Sequence, residues 1–206
     1  MLVGMRRVLA AALAVSTLGA CRSESARHPA GAADSAHTTA STARACGGST
    51  ALDGSGVGAL RIGRSVAEID RACVVLWDTT GRDVEGNPAR TLGVRLGQDS
   101  VRAEVVNDRI WRLAITTPAL RTADSLGVGT PLGRLLEAPS ARGLSGEGAL
   151  VVTMPEHCGM SFQLSATAPT PRSGWTRAAL ERLPRATYVT RVLIFGCASQ
   201  PGTSPT

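Results

Sequence analysis

The stretch Leu60-Arg61-Ile62-Gly63-Arg64-Ser65-Val66-Ala67-Glu68-Ile69 has a second, altered copy further along the chain, Leu126-Gly127-Val128-Gly129-Thr130-Pro131-Leu132-Gly133-Arg134-Leu135. In both copies a short apolar strand reaches a glycine, and the residues that follow predict the start of a helix. Ser65 and Glu68 have the S-x-x-E spacing of a capping box. Thr130 before Pro131 is typical of an N-cap followed by proline at the first helical position. The pattern predicts an internal duplication.

An antiparallel meander is predicted after the first helix. Apolar residues alternate along three strands, which are joined by a four-residue turn at 97–100 and a three-residue loop at 107–109. With these loops, one face carries Leu92, Val94, Leu96, Val101, Ala103, Val105, Trp111, Leu113 and Ile115. A two-residue second turn would move Trp111 and Leu113 to the other face, so the hydrophobic pattern favours the longer loop.

The second copy repeats this scheme. If Pro155-Glu156-His157 is a loop, one face carries Leu150, Val152, Met154, Cys158, Met160, Phe162 and Leu164. The closing strand is predicted at Tyr188–Cys197, because its residues 189–194 resemble residues 110–115. An insertion at 165–186 interrupts this copy and contains a predicted helix from Thr176 to Leu183, which Pro184 ends. The predicted fold class is therefore α+β, with two helix-plus-meander units at 46–120 and 121–206, the second ending in a disordered tail.

The two units resemble a family of cell-envelope domains. Tandem units of helix plus antiparallel sheet, with the I-G-x-S-x-x-E-I helix start of Ile62–Ile69, are similar to the β-lactamase-inhibitor-protein-like fold. The small lipoproteins of the outer-membrane protein assembly machinery use a related single unit. The resemblance covers residues 60–197 and implies a non-catalytic protein-binding module, without naming a partner or a contact residue. This chain departs from the pattern by having one evident helix per unit and by carrying the insertion.

The first 21 residues predict a lipoprotein signal peptide. Two arginines precede the apolar run Val8–Val15, which is too short to span a bilayer but fits the apolar region of a signal peptide. Leu18-Gly19-Ala20-Cys21 resembles the bacterial lipobox, in which the cysteine is lipidated and becomes the mature N-terminus. We expect residues 1–20 to be removed and acyl chains, palmitate among them, to anchor Cys21 in a membrane. Arg22 replaces the aspartate that retains many lipoproteins at an inner membrane, which predicts an outer-membrane location facing the periplasm.

The composition excludes several classes of protein. Of the 206 residues, 43% are hydrophobic, so the chain can bury a core and is not wholly disordered. All 22 basic residues are arginines, which excludes a lysine Schiff base and a P-loop. The formal net charge is +6, but nucleic acid is not an expected partner in the periplasm. Residues 22–45 contain no large apolar side chain, so we predict a flexible tether in which His28 and His37 are solvated.

Four cysteines, Cys46, Cys73, Cys158 and Cys197, remain after lipidation. Their even number in an oxidising compartment predicts two disulfides, for which three pairings are possible. A nearest-neighbour meander places Cys158 near Cys197 and leaves Cys46 for Cys73, and we expect this connectivity. Strand alternation puts Cys158 and Cys197 on opposite faces, so the second bond requires a bulge.

No cluster in the sequence predicts catalysis or a metal site. In Glu156-His157-Cys158, adjacent strand residues would point to opposite faces, and a tight turn before a disulfide cysteine explains the triplet. The folded part has no second histidine and no C-x-x-C, so neither a metal nor another cofactor is expected. Gly54-x-Gly56-x-Gly58 precedes a strand, which indicates a loop and not a dinucleotide-binding fingerprint. No acid–base arrangement is evident among Asp70, Asp78, Asp83 and Glu85.

Arginines define the candidate interaction face. Arg95, Arg102 and Arg112 are predicted on the outer face of the first meander with Glu104 among them, and Arg191 is the counterpart in the second copy. This set fits anionic lipopolysaccharide or an acidic protein surface. It also fits a solvated sheet face that the glutamate partly neutralises.

The function that the sequence favours is non-catalytic. We expect a binding module that contacts an envelope protein or supports outer-membrane assembly. The alternatives are an enzyme acting on an envelope substrate and an Arg-lined binder of anionic envelope glycans. Trp77 and Trp175 fit a sugar- or peptide-stacking role less well than burial in the core or at an interface.

Overall fold

A computed structural model describes residues 46–82, 86–146, 148–167 and 169–197. The predicted signal peptide, the lipidated Cys21, the tether with His28 and His37, and the C-terminal tail lie outside these ranges, as do Asp83 and Glu85. None of the described helices is long and apolar enough to cross a membrane.

Twelve strands and three short α-helices make up the described part of the chain. In the first half they are β1 (Ala51–Leu52), β2 (Gly56–Val57), β3 (Leu60–Arg61), α1 (Val66–Ala72), β4 (Val75–Arg82), β5 (Pro88–Leu96), β6 (Asp99–Val106), β7 (Arg109–Ile115) and β8 (Arg121–Thr122). The second half contains α2 (Leu132–Leu135), β9 (Arg142–Gly146), β10 (Ala149–Thr153), a 3₁₀ helix (Pro155–His157), β11 (Met160–Leu164), α3 (Arg177–Glu181) and β12 (Val189–Ile194).

Eight strands form one antiparallel sheet in the order β4-β5-β6-β7-β12-β11-β10-β9. The fold is therefore mostly β, which corrects the predicted α+β class: helices are short and few in the described residues. Strands β7 and β12 pair directly, so the two predicted units share one sheet. The edge strands β4 and β9 were not predicted, because nearly every side chain of β4 is exposed and β9 shows no alternation of burial. Small pairings, β1 with β8 and β2 with β3, lie outside this sheet.

The hydrophobic core covers one face of the sheet. Leu92, Leu113 and Phe162 from three of its strands are fully buried, and they belong to one cluster with apolar residues of all three helices. In α1 these are Val66 and Ile69, three residues apart on one side of the helix. The remaining helical members of the cluster are Leu132, Leu135, Ala179 and Leu180. The other face of the sheet, called the outer face below, has no helix packed on it among the described residues.

The two predicted helix starts have similar backbone geometry. Gly63 and Gly129 each have a φ of 85°, which favours glycine. The N–H of Gly63 donates to the carbonyl oxygen of Ile110, and that of Gly129 to the carbonyl oxygen of Val189, both at 2.7 Å. The Ser65–Glu68 capping box is confirmed: the Ser65 N–H donates to Glu68 Oε2 at 2.8 Å, and the Glu68 N–H donates to Ser65 Oγ. The Ser65 hydroxyl also donates to Glu68 Oε2 at 2.9 Å, and the hydrogen bonds that the Glu68 carboxylate accepts from the backbone and side chain of Ser65 lower its pKa.

The second helix start differs in detail from its prediction. Pro131 itself occupies the N-cap position, and no side chain caps α2. The hydroxyl of Thr130 instead accepts from the Gly127 N–H at 2.9 Å, so it closes the preceding turn. The insertion contains α3, shorter than predicted, with Thr176 as its N-cap and Pro184 beyond its end.

The loops of the first meander are tighter than predicted. Asp99 and Ser100 already pair with β5, so the first turn has only two residues, at 97–98. The second turn is also a two-residue turn, Asn107-Asp108, with φ of 49° and 59°. A β-bulge in β7 then returns Leu113 and Ile115 to the core face. Glu104 lies opposite Arg112 and Val105 opposite Ile110, which leaves Trp111 as the extra residue.

The bulge decides which side chains face the core. Ile110, Leu113 and Ile115 are buried, whereas Trp111 is 40% exposed. The prediction that Trp111 lies on the core face is therefore wrong, although the prediction for Leu113 is confirmed. A matching register shift in β12 leaves Thr190 as its extra residue, because Gln163 lies opposite Arg191 and Leu164 opposite Val189.

The second meander also differs at its ends. The closing strand β12 runs from Val189 to Ile194, so it is shorter than the predicted Tyr188–Cys197. The predicted loop 155–157 is a 3₁₀ helix. Cys158 is exposed before β11 begins and does not share the core face with Met160, Phe162 and Leu164.

Candidate binding surface

The outer face of the sheet carries several exposed large apolar side chains. Strand alternation and register place several of the exposed apolar residues on this face: Trp77 (42%), Val106 (50%), Trp111 (40%), Leu144 (55%) and Phe195 (37%). Trp77 in β4 and Leu144 in β9 lie on opposite edge strands, whereas Trp111 and Phe195 contact each other near the middle of the sheet.

Trp77 lies flat against the outer face. A Cβ added to Gly93 would come within 2.1 Å of the Trp77 indole atoms Cε2 and Nε1, so the glycine leaves room for the ring. Gly93 pairs with Trp77 on one side and with Arg102 on the other. The indole therefore stacks on the sheet backbone beside the Arg102 side chain, and it is not part of the core.

A second aromatic group surrounds Arg112. The ring centroids of Trp111 and Phe195 are 6.2 Å apart, and the Arg112 guanidinium carbon lies 4.7 Å from the Trp111 centroid and 5.8 Å from that of Phe195. Arg112 Nη2 and Glu104 Oε2 are 2.6 Å apart, with only 12% and 19% of the two side chains exposed. Arg112 is therefore held in place by two rings and by the carboxylate of Glu104.

These groups border a groove on the outer face. Its volume is about 760 Å³, and it runs from the hairpin of β4 and β5 to the bulge in β7. The lining combines apolar and charged side chains: Thr79, Pro88, Thr91, Arg102, Glu104, Val106, Trp111 and Arg112 among others. The groove is open and mixed in polarity, which suits a protein segment better than a small apolar molecule.

The four predicted arginines all lie on the outer face, but the structure brings only two of them together. Arg102 and Arg112 line the groove. Arg95 and Arg191 lie on the same face outside it, where Arg191 pairs with the neutral Gln163. Arg95, Arg102 and Arg191 are exposed, and within the described ranges no carboxylate forms an ion pair with any of them. The face is therefore positively charged overall.

Sequence reasoning missed three contributors to this surface. The hydrophobic pattern predicts Trp111 in the core, because it does not show the bulge that turns the side chain outward. Phe195 and Val106 were not singled out, although Phe195 follows the buried strand end Ile194 and so alternates to the outer face. The predicted burial of Trp175 is confirmed: the residue is 7% exposed, and its Nε1–H donates to Ser145 Oγ at 2.8 Å.

Both expected disulfides form. Cys46 bonds to Cys73, where Cys73 is the C-cap of α1, and both cysteines are buried. Cys158 bonds to Cys197, and both of these are exposed. The second bond fixes the turn before β11 to the segment after β12. None of the four described cysteines has a free thiol.

The triplet Glu156-His157-Cys158 does not form a Cys–His pair. His157 Nε2 lies 3.1 Å from Asp124 Oδ2, and Cys158 is in its disulfide. Burial raises the pKa of Asp124, but hydrogen bonds from Thr122 and the charge of His157 outweigh it and hold that pKa below its usual range. Glu156 accepts from the Ser140 hydroxyl at 2.6 Å, which lowers its pKa as well. These contacts tie the 3₁₀ helix to two neighbouring loops.

The predicted carboxylates and glycines serve packing and pairing. Asp78 accepts from Arg90, whose hydrogen bonds lower the pKa of Asp78. Gly54 packs against the second disulfide: an added Cβ would lie 2.0 Å from the Cys158 carbonyl oxygen. No group of three or more His, Cys, Asp or Glu side chains in the described ranges is arranged to hold a metal ion.

Comparisons with known proteins define the fold and nothing further. No protein-family model and no curated protein matches the chain. The structure is similar to the crystal structure of the uncharacterized protein yfeY from Escherichia coli, with a TM-score of 0.52 and 17% sequence identity. The match covers 70% of this chain and 99% of that one. The match shows a similar fold in a second protein.

Proposed function

We propose that the chain is a non-catalytic binding module that takes an acidic protein segment on the outer face of its sheet. The observation that carries the proposal is the outer-face groove, which joins exposed Trp111 to Arg102 and to the ion-paired Arg112. Tryptophan and arginine are the residues that most often dominate the energy of protein interfaces. A positively charged rim around apolar side chains favours a partner with complementary acidic and apolar groups.

A pseudo-duplicated architecture supports this proposal. The hydrogen bonds of the two glycine turns match Ile110 with Val189, and counting along β7 and β12 then matches Ala114 with Leu193. Ala114 and Leu193 pair directly across the two strands. A residue that pairs with its own counterpart lies on a two-fold axis, so the two halves are proposed to be related by a pseudo-two-fold rotation. The resemblance to tandem β-lactamase-inhibitor-protein-like binding domains rests on this arrangement.

The two halves differ on the outer face. Trp111 and Arg112 in β7 correspond to Thr190 and Arg191 in β12, and Glu104 corresponds to Gln163. Core positions in the two halves remain apolar, whereas the aromatic side chain at the bulge occurs in one half alone. We infer that the first half, next to the groove, has become the binding half.

We propose that the module is anchored to the outer membrane, facing the periplasm, through lipidated Cys21. The lipobox match at residues 18–21 supports this location. A Cys21→Ser variant should lose lipid labelling and leave the membrane fraction, because the acyl chains supply the anchoring energy. Labelling and membrane association that match the parent would overturn the proposed anchor.

A second candidate function is binding of anionic envelope glycans. The exposed Arg95, Arg102 and Arg191 favour it, since guanidinium groups bind phosphate and carboxylate. An enzyme is less well supported, because the described face is a broad groove and not a closed cleft around a buried carboxylate or thiolate.

Affinity capture from detergent-solubilised envelopes tests the proposed function. The parent chain, an Arg102→Glu variant and an Arg71→Glu control are used as baits, since Arg71 lies on α1 away from the outer face. The proposal predicts one discrete protein that the parent and the control capture and the Arg102→Glu variant loses. Equal capture by all three baits would contradict it, and retention of lipopolysaccharide alone would favour the second candidate.

A further inference from the structure

One edge strand of the sheet, β9, is covered by another part of the chain, whereas the other edge strand, β4, is open. At β9, the N–H of Gly143 donates to the carbonyl oxygen of Trp175 at 3.2 Å, and the Trp175 side chain donates to Ser145. Part of the insertion therefore covers this edge. Strand β4 forms the opposite edge, and no described residue outside β5 hydrogen-bonds to its backbone. An open edge of this length is a template for pairing with another strand.

The backbone groups that point away from the sheet can be assigned. The Arg95 N–H donates to the carbonyl oxygen of Val74. In β5, Arg95 and every second residue before it (Gly93, Thr91 and Ala89) therefore direct their N–H and C=O groups toward β4. Trp77, Thr79 and Gly81 are the β4 partners of these residues. It follows that Asp78, Thr80 and Arg82 direct their N–H and C=O groups outward, and all three residues are exposed.

The side chains along this edge select a self-complementary register. Antiparallel pairing of two copies centred on Thr80 places Asp78 of each copy opposite Arg82 of the other. Pairing centred on Asp78 or on Arg82 would place like charges opposite each other, which is unfavourable. The Arg82 guanidinium donates to the Gly86 carbonyl oxygen, and no carboxylate in the described ranges pairs with it. In the register centred on Thr80, Asp78 of each copy, which already accepts from Arg90 of its own chain, also lies opposite Arg82 of the other copy.

We propose that two copies of this chain associate edge to edge through β4, around a two-fold axis at Thr80. The pairing forms about six intermolecular backbone hydrogen bonds, because each of the three opposed pairs exchanges two. The two sheets become one continuous sheet, and both outer faces stay open. The bulge beside Leu76 ends the pairing at one side, so only residues 77–82 take part. This inference does not rest on the proposed binding function, although Thr80 and Arg82 also line the groove.

Charge reversal tests the interface and its register. The full chain in detergent micelles should dimerise with concentration in analytical ultracentrifugation. Asp78→Arg and Arg82→Asp should each weaken the dimer by about tenfold or more, because each opposes like charges. A mixture of the two variants should dimerise again, since every Arg then faces an Asp. A parent chain that stays monomeric, or a mixture that fails to regain dimers, would overturn the proposal.

A cysteine scan in membranes gives an independent measurement of the register. Thr80→Cys should form a crosslinked dimer under mild oxidation, because the two residues at the axis lie directly opposite each other. Thr79→Cys is the matched control, since its side chain projects from the other face of the strand. Crosslinking at Thr79 that equals or exceeds crosslinking at Thr80 would contradict the proposed register.

Discussion

At the residue scale, the absence of a side chain at Gly54 allows the loop after β1 to pack against the Cys158–Cys197 disulfide. Gly54 is half-buried, and its α-carbon lies so close to the Cys158 carbonyl oxygen and to Cys197 Sγ that a methyl group has no space. The sequence indicated only a loop here, because the spacing of three glycines does not reveal what each one touches. The glycine is required by its neighbours and not by its own φ.

A Gly54→Ala variant should therefore be destabilised. The added methyl group forces the loop away from the backbone at Cys158, and overpacking of this kind costs about 1–3 kcal/mol. Chemical denaturation measures the change in the free energy of unfolding. Gly146→Ala is the control, since an added Cβ there meets nothing within 4 Å and should leave stability nearly unchanged. Equal stability of the two variants would show that the close approach is absent in solution.

Asp53 gives a pH dependence of stability. Burial raises its pKa, but hydrogen bonds from Ser55 and Arg61 outweigh burial and lower that pKa from 3.8 to about 2. A group whose pKa is lower in the folded state stabilises the fold above its unfolded pKa. That contribution is lost as the pH falls from about 4 to about 2.

An Asp53→Asn variant should lose less stability than the parent over this range, because it has no carboxylate to protonate. Denaturation midpoints measured at pH 7 and at the lower end of the range provide the comparison. Asp70→Asn is a suitable control outside this hydrogen-bond group. A parent and an Asp53→Asn variant with the same pH profile would show that the Arg61 contact has no thermodynamic effect.

At the scale of elements, the sequence predicted the interior strands and missed the edges. Strands β6, β10 and β11 alternate between buried and more exposed side chains, which is the signal that a half-buried sheet leaves. In β5 the sequence alternates, but residues 91–94 are all buried in the structure. Strand β4 has no buried residue, so no alternation marks it. The turn residues Asn107-Asp108 carry the signal of a two-residue hairpin. The alternation of apolar residues in β7 argues against a two-residue turn, because that turn alone would move Leu113 off the core face. The bulge at Trp111 allows both the short turn and a buried Leu113.

The two disulfides should differ in their ease of reduction. Cys46 and Cys73 are 5% and 3% exposed, whereas Cys158 and Cys197 are exposed to solvent. Reduction requires attack by a thiolate, so access controls its rate. Under native conditions, a low concentration of dithiothreitol followed by alkylation and peptide mapping should label Cys158 and Cys197 first. Earlier labelling of Cys46 and Cys73, or a different pairing in the unreduced map, would contradict the structure.

At the scale of the whole molecule, the eight strands form a single sheet, and the proposed duplication would relate its two halves. Two meanders meet at β7 and β12, so their cores merge and the fold is mostly β. The sequence revealed the repeated helix start and the four arginines of the outer face. It did not reveal the outer-face groove, because that surface depends on the bulge at Trp111 and on Trp77 stacking over Gly93. The bulge and the Trp77 stacking are both features of strand pairing, and the alternation of apolar residues along the sequence does not reveal them.

Photocrosslinking in intact envelopes tests the proposed binding surface most directly. A photoreactive phenylalanine analogue is placed at Trp111, at its counterpart Thr190, and at Arg71 on α1, so that the first two positions share one sheet face. We expect a crosslink to one discrete envelope protein from position 111, and none from positions 190 and 71. Crosslinks of equal strength from positions 111 and 190, or no protein crosslink from position 111, would contradict it.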